Sequence, residues 1–151
     1  MSAVKDAAMD YNNTGISLLA MSHRSQPVME LFDETTVRLC SLLDIPDGYK
    51  VLWLQGGASL QFSMVPMNIL NDHETADYID TGAWSSKAIK EARNFGSVNI
   101  AGSSKNDNYT FIPRYLEQYS ESVYLHITTN NTIYGTQYHV LPEVINNGFI
   151  V

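Results

Sequence analysis

Cysteine is almost missing from this sequence. Cys40 stands alone, so no intramolecular disulfide can form, and the chain suits a reducing compartment. Its neighbours Val37, Leu39, Leu42 and Leu43 mark it as a small buried hydrophobe rather than a reactive thiol. Positive charge is scarce as well: nine Lys and Arg against sixteen Asp and Glu give a net charge of -7. The basic residues are Lys5, Arg24, Arg38, Lys50, Lys87, Lys90, Arg93, Lys105 and Arg114, which form no stripe along which a phosphate backbone could lie. Nucleic acid and anionic membrane surfaces are therefore excluded as expected partners. No apolar run approaches the ~20 residues of a membrane span. The opening "MSAVKDAAMDYNN" lacks the apolar core of a signal peptide, so the expected location is the cytoplasm. His73, His126 and His139 have no carboxylate or cysteine partner at ligand spacing, which argues against a metal site; His126, inside "VYLHITT", reads as a satisfied core or strand-face histidine.

What is present is an ordinary interior. Hydrophobic residues make up 44% of 151, and no repeat, low-complexity tract or compositional linker divides them. A domain of this length buries about 70% of the surface that its unfolded chain exposes. The expected elements begin with a short helix over 3–11. A second helix starts after a Ser25 cap, carries Pro27 in its first turn and runs to about Leu43, with Val28, Leu31, Phe32, Leu39 and Leu42 on one face. "IPDGY" at 45–49 is a turn. From there the pattern alternates: strand 51–55, helix 58–70 interrupted at Pro66, strand 76–82, helix 85–94 closed by Gly96 and strand 97–102. A polar loop 103–110, a short helix near 113–119, a strand over 122–130 and one at 148–151 complete it. Strands alternating with helices imply an α/β fold whose mostly parallel sheet is flanked by helices, with functional loops at the strand C-terminal ends.

Three such ends carry candidate groups. In "VLWLQGGASLQFSMVPMNIL" (51–70), Gly56-Gly57 joins a strand to the helix opened by Ala58-Ser59. Two readings stay open. The glycines may serve a bare turn, or they let the backbone approach an anion held by the free N–H groups and the dipole of the helix start. Gly82-Ala83-Trp84 adds an indole and Asn130-Asn131-Thr132 a hydroxyl, so together the three ends resemble a site for a phosphorylated aromatic ring. Asp77 and Asp80 look like a carboxylate pair, but odd spacing along a strand sends them to opposite faces and argues against joint acid–base work.

"MSHRS", "VLWLQGGASLQFSMVPMNIL", "ADYIDTGAWSSKAIKEA" and "NNTIYGTQY" follow one another as in the phosphoserine aminotransferases, and the resemblance covers essentially the whole chain. It implies the large domain of a class V, fold type I enzyme dependent on pyridoxal 5'-phosphate. The reaction implied is 3-phosphohydroxypyruvate plus glutamate going to O-phosphoserine plus 2-oxoglutarate, in serine synthesis and in some bacteria pyridoxine synthesis. On this resemblance Ala58 and Ser59 donate to the cofactor phosphate, Trp84 stacks on the pyridine ring and Thr132 contacts the cofactor. Arg24 holds a substrate anion, assisted by His23. Some relatives carry arginine where Ser59 stands, so one positive charge on the substrate phosphate is either missing here or supplied elsewhere.

The family's chains are longer. Residues 1–151 match the N-terminal portion of the large domain, and the expectation is that the aspartate paired with the pyridine nitrogen, the Schiff-base lysine and the small C-terminal domain all lie outside them. No catalytic residue is thus expected within 1–151, the sheet should be incomplete, and strand 51–55 should lack its sheet neighbours. The full-length enzyme is expected to be a homodimer. The alternative function is a non-catalytic α/β module that binds a phosphate or cofactor.

Overall fold

Six residues, TADYID, form the most deeply buried strand among the described residues: β1, Thr75–Asp80, with five of its six side chains shielded. Burial on both faces is what a central parallel strand requires, and β1 has neighbours on each side. The order is β2–β1–β3, both pairs parallel, with β2 at Ser97–Ser103 and β3 at Leu125–His126. Ile150 bridges Leu125 in the same sense, which extends the sheet by the expected C-terminal strand. The structure is a computed structural model that describes residues 2–146 and 148–151, so Met1 and Asn147 fall outside the described residues. The chain divides into two compact units, the first ending at Trp53 and the second running Leu54–Val151. No compositional break marks that division.

In the first unit, α1 (Ser2–Met9) ends ahead of a 3-10 turn at Tyr11–Asn13, where Asn12 and Asn13 adopt positive φ. Helix α2 covers Gln26–Leu42, close to the expected span. Ser25 precedes it in extended backbone, but its hydroxyl donates to the Ser22 carbonyl at 2.7 Å instead of capping the helix. Of the expected apolar face, Val28 is buried, while Leu42 is 81% exposed. The Trp53 indole donates to Thr36 Oγ1 at 2.9 Å, and its ring meets Phe32 at 6.0 Å.

In the second unit, α3 (Gly57–Ile69) and α4 (Ala83–Ala92) pack on one face of the sheet. Leu70, Ala76, Tyr78, Ala88, Ile89, Ala92 and Tyr124 form the main core, with Phe62 and Ile69 of α3 against it. A smaller cluster of Ile79, Ala101, Leu125 and Ile127 fills the other face. β4 (Asn130–Asn131) and β5 (Thr136–Gln137) make an antiparallel hairpin outside the sheet.

Four expectations need correction. Residues 51–54 form no strand; they are irregular and have no ladder partner, in keeping with the expected lack of sheet neighbours. Pro66 does not interrupt α3, which passes through it and loses only the one N–H that proline lacks. No helix forms at 113–119, because its amides are committed elsewhere: Glu117 N–H donates to the Ala101 carbonyl at 2.7 Å and Tyr119 N–H to the Asp77 carboxylate at 3.0 Å. Gly96 is not a left-handed cap, since α4 closes at Arg93 in right-handed backbone. Glycine is required there by crowding. A Cβ would stand 2.6 Å from the Asn71 carbonyl oxygen and 2.8 Å from Leu70 Cγ. Gly96→Ala is therefore expected to cost about 1–3 kcal/mol, read as a lowered urea midpoint, because the obstacle is backbone and must shift. An unchanged midpoint would show that the 70–71 turn yields freely.

Candidate functional site

The site begins with two glycines in left-handed backbone, Gly56 at φ +91° and Gly57 at φ +62°. Residues with a Cβ resist that conformation, so the pair lets the chain reverse directly into α3. The Ala58 and Ser59 N–H groups belong to the first turn, which has no carbonyl one turn earlier, and neither bonds to any group elsewhere among the described residues. They face the positive end of the α3 dipole.

The second component is the start of α4. Ser85 Oγ accepts from the Thr81 and Gly82 N–H groups at 2.8 and 2.9 Å, which fixes the turn between β1 and the helix. Beneath it Asp80, 7% exposed, accepts from Ser85 Oγ at 3.0 Å, Ser86 Oγ at 2.8 Å and the Tyr109 hydroxyl at 3.2 Å. Asp77 serves a separate network with Asn99 and Tyr119, so the two carboxylates do not converge, as their spacing implied. Trp84 emerges from this braced turn.

The third component is the β4–β5 hairpin. Asn131, 1% exposed, donates from Nδ2 to Thr81 Oγ1 at 2.9 Å, and Thr136 Oγ1 donates to the Thr81 carbonyl at 2.9 Å. Both bonds tie the hairpin to the residue that follows β1. Thr132 is thereby placed where its Oγ1 accepts from Trp84 Nε1 at 3.2 Å.

These parts enclose a hollow of about 380 Å³ lined by Gly56, Gly57, Ala58, Ser59, Phe62, Trp84, Thr128 and Asn130. That volume falls within the range of small-ligand sites. The Thr128 hydroxyl oxygen is sealed from solvent without a hydrogen-bond partner, so Thr128 lines the hollow with its other atoms. A larger trough of about 710 Å³ between residues 110–116 and 135–142 carries Arg114 and His139 but no free helix start, so the smaller hollow is the better candidate for a phosphorylated ring.

The structure thus brings Ala58, Ser59 and Trp84 to one hollow and sets Thr132 against Trp84. His23 and Arg24 lie in the first unit, in the turn before α2, where Arg24 N–H donates to Ser22 Oγ at 3.2 Å. Sequence reasoning missed Phe62 and Thr128. Alternation along Tyr124, His126 and Thr128 was the available signal, since it puts all three on the face covered by α3 and α4. His126 itself is not satisfied: its Nδ1 has no partner, its ring stacks on Tyr78 at 4.6 Å, and burial pulls its pKa down to about 4. Among the described residues no His, Cys, Asp and Glu cluster fit for a metal occurs.

Comparison with known proteins decides the family. The family model for Aminotransferase class-V matches residues 1–150. The chain belongs to the class-V aminotransferases. It is 50% identical over 145 residues to the phosphoserine aminotransferase of Halalkalibacterium halodurans, covering 95% of this chain and 40% of that relative. The structure of phosphoserine aminotransferase from Bacillus circulans subsp. alkalophilus superimposes with a TM-score of 0.91 at 40% identity, over 99% of this chain and 42% of that one. A phosphoserine aminotransferase from Trichomonas vaginalis, solved with pyridoxal phosphate bound, gives 0.86 at 30% identity, over 99% and 44%. This class-V chain therefore spans about two fifths of the length of the relatives it matches, and its α/β fold with a parallel sheet is theirs over that span.

Proposed function

We propose that residues 1–151 are the N-terminal portion of the cofactor-binding large domain of a phosphoserine aminotransferase. The whole protein would exchange the amino group between glutamate and 3-phosphohydroxypyruvate, giving O-phosphoserine and 2-oxoglutarate, as a cytoplasmic homodimer. One observation carries this reading: the free start of α3 and the indole that follows β1 share one hollow.

The residues fit pyridoxal 5'-phosphate. Ala58 and Ser59 N–H groups would hold its phosphate by charge-assisted bonds at the helix start, without any side-chain charge in the lining. Trp84 would cover the pyridine face, and the Thr132 acceptor at its Nε1 fixes the indole plane so that the ring does not have to be ordered on binding. Phe62 excludes water from the floor. When bound, the cofactor supplies the electron sink for the substrate carbanion. Arg24, with His23, would take the substrate's anionic end, since a guanidinium matches carboxylate or phosphate in a planar fork.

Tryptophan fluorescence tests this. In a Trp53→Phe background Trp84 is the remaining indole, and pyridoxal 5'-phosphate is expected to quench it reversibly, more strongly than pyridoxal at equal concentration. No lysine lines the hollow, so borohydride reduction should leave label scattered over exposed lysines such as Lys5 and Lys105. Equal quenching by the two compounds would refute the phosphate nest. Stoichiometric labelling of one lysine would refute this assignment of the lining.

A further inference from the structure

Lys87 touches the free start of α3, and its position is electrostatically odd. It lies one turn beyond Trp84 on α4, and its Nζ donates to Ser59 Oγ at 3.2 Å. That hydroxyl belongs to the first turn of α3, where the helix dipole presents partial positive charge. An ammonium is repelled by such a place. A better partner is within reach on its own helix, because Glu91 lies four residues on. Lys87 makes no ion pair with it, and Glu91 Oε2 instead accepts from Ser63 Oγ at 2.8 Å. Among the described residues the ion pairs are Arg38–Glu34 and His73–Asp72, so the Lys87 charge is not neutralised by a carboxylate.

We infer that Lys87 is an anion-binding residue that supplies the positive charge to a phosphate seated on the Ala58–Ser59 N–H groups. A dianion set between the α3 start and the ammonium turns two like charges that oppose each other into two that attract one ligand. Among the described residues the lining holds no charged side chain of its own, and Lys87 reaches its edge from α4 through Ser59. Ser59 has the complementary task, because its short hydroxyl leaves room for Lys87 to reach the nest from the neighbouring helix. The inference rests on the phosphate reading of the hollow given above.

The test uses pyridoxine 5'-phosphate, which carries ring and phosphate but no aldehyde, so no imine with a lysine can form. Its affinity is measured by equilibrium dialysis for the wild-type chain, Lys87→Gln and Lys87→Arg, with pyridoxine as the phosphate-free control. Lys87→Gln is expected to bind the ester about fivefold to tenfold more weakly, the size of a solvent-accessible charge contact. Pyridoxine binding should be unchanged, and Lys87→Arg should hold within about twofold of wild type. Raising salt should weaken wild type more than Lys87→Gln. Equal affinity of Lys87→Gln and wild type for the ester overturns the inference, as does equal weakening for ester and pyridoxine. A wild-type chain that does not prefer the ester to pyridoxine overturns the phosphate reading itself. Should circular dichroism show that Lys87→Gln is unfolded, acetylation of the wild-type chain decides. The ester should slow acetylation of Lys87 selectively relative to Lys90, and equal rates would refute the role.

Discussion

Replacing Asp80 with alanine is expected to destabilise the second unit by about 2–4 kcal/mol. Its carboxylate is the common acceptor of three hydroxyls, those of Ser85, Ser86 and Tyr109, and it is nearly inaccessible to water. Bonds to an ionised acceptor are worth about 1.5–3 kcal/mol each, and donors left unpaired in the interior carry their own cost. The full sum is not expected. Ser85 has a second acceptor in the Gly82 carbonyl at 2.8 Å, Ser86 and Tyr109 remain 3.0 Å apart, and removing a buried charge recovers part of its desolvation cost. Asp80→Asn keeps the volume and one acceptor oxygen and should cost about half as much. Urea unfolding followed by far-UV circular dichroism gives both numbers. A shift under about 0.5 kcal/mol for alanine would show that the hydroxyls reorganise without loss. The same variants should weaken pyridoxine 5'-phosphate binding, because this cluster braces the turn that presents Trp84.

That turn also shows how far the sequence could be read. The alternation of strand and helix from residue 56 onward was legible because each element carries its own local signal: apolar run, helical spacing, glycine or hydroxyl at the junction. Pattern resemblance added the identity of the ring and phosphate groups. What local pattern could not supply was competition for amides. Residues 113–119 have helical composition, yet Ala101 and Asp77 draw their N–H groups to the sheet, and only tertiary contact reveals those acceptors. Gly96 misled for the same reason. A glycine after a helix usually marks a left-handed cap, but here the Asn71 carbonyl, distant in sequence and adjacent in space, excludes a side chain.

The candidate site was legible at its polar and aromatic corners and illegible in its floor. Ser59 stands at a helix start, and Trp84 and Thr132 follow strands, where chemistry is expected. Phe62 sits inside α3 and Thr128 just beyond β3, and both look like ordinary packing residues until the hollow is closed around them. Lys87 was hidden differently. On sequence it is a solvated helix residue with Glu91 one turn away, and only the Ser63–Glu91 bond shows that this partner is engaged elsewhere.

His126 should make the fold acid-sensitive well above the carboxylate range. Its ring is stacked on Tyr78, Nδ1 has no partner, and burial lowers the folded-state pKa to about 4. An unfolded chain protonates this histidine near 6.5. Above that value both states are neutral and the side chain contributes its full packing. As pH falls from 6.5 toward 4 the unfolded state takes up a proton that the folded state refuses, so stability drops progressively, then levels off below 4, where both states are charged. The gap between the two values corresponds to roughly 3 kcal/mol at the limit. His126→Phe retains an aromatic ring over Tyr78 and removes the titration. Urea midpoints at pH 7.5, 6.0, 5.0 and 4.5 are expected to decline for wild type and to decline much less for His126→Phe. The carboxylates and the other histidines are common to both proteins and cancel in the difference. Parallel curves would mean that His126 takes its proton inside the fold, by opening the strand or by finding an acceptor for Nδ1.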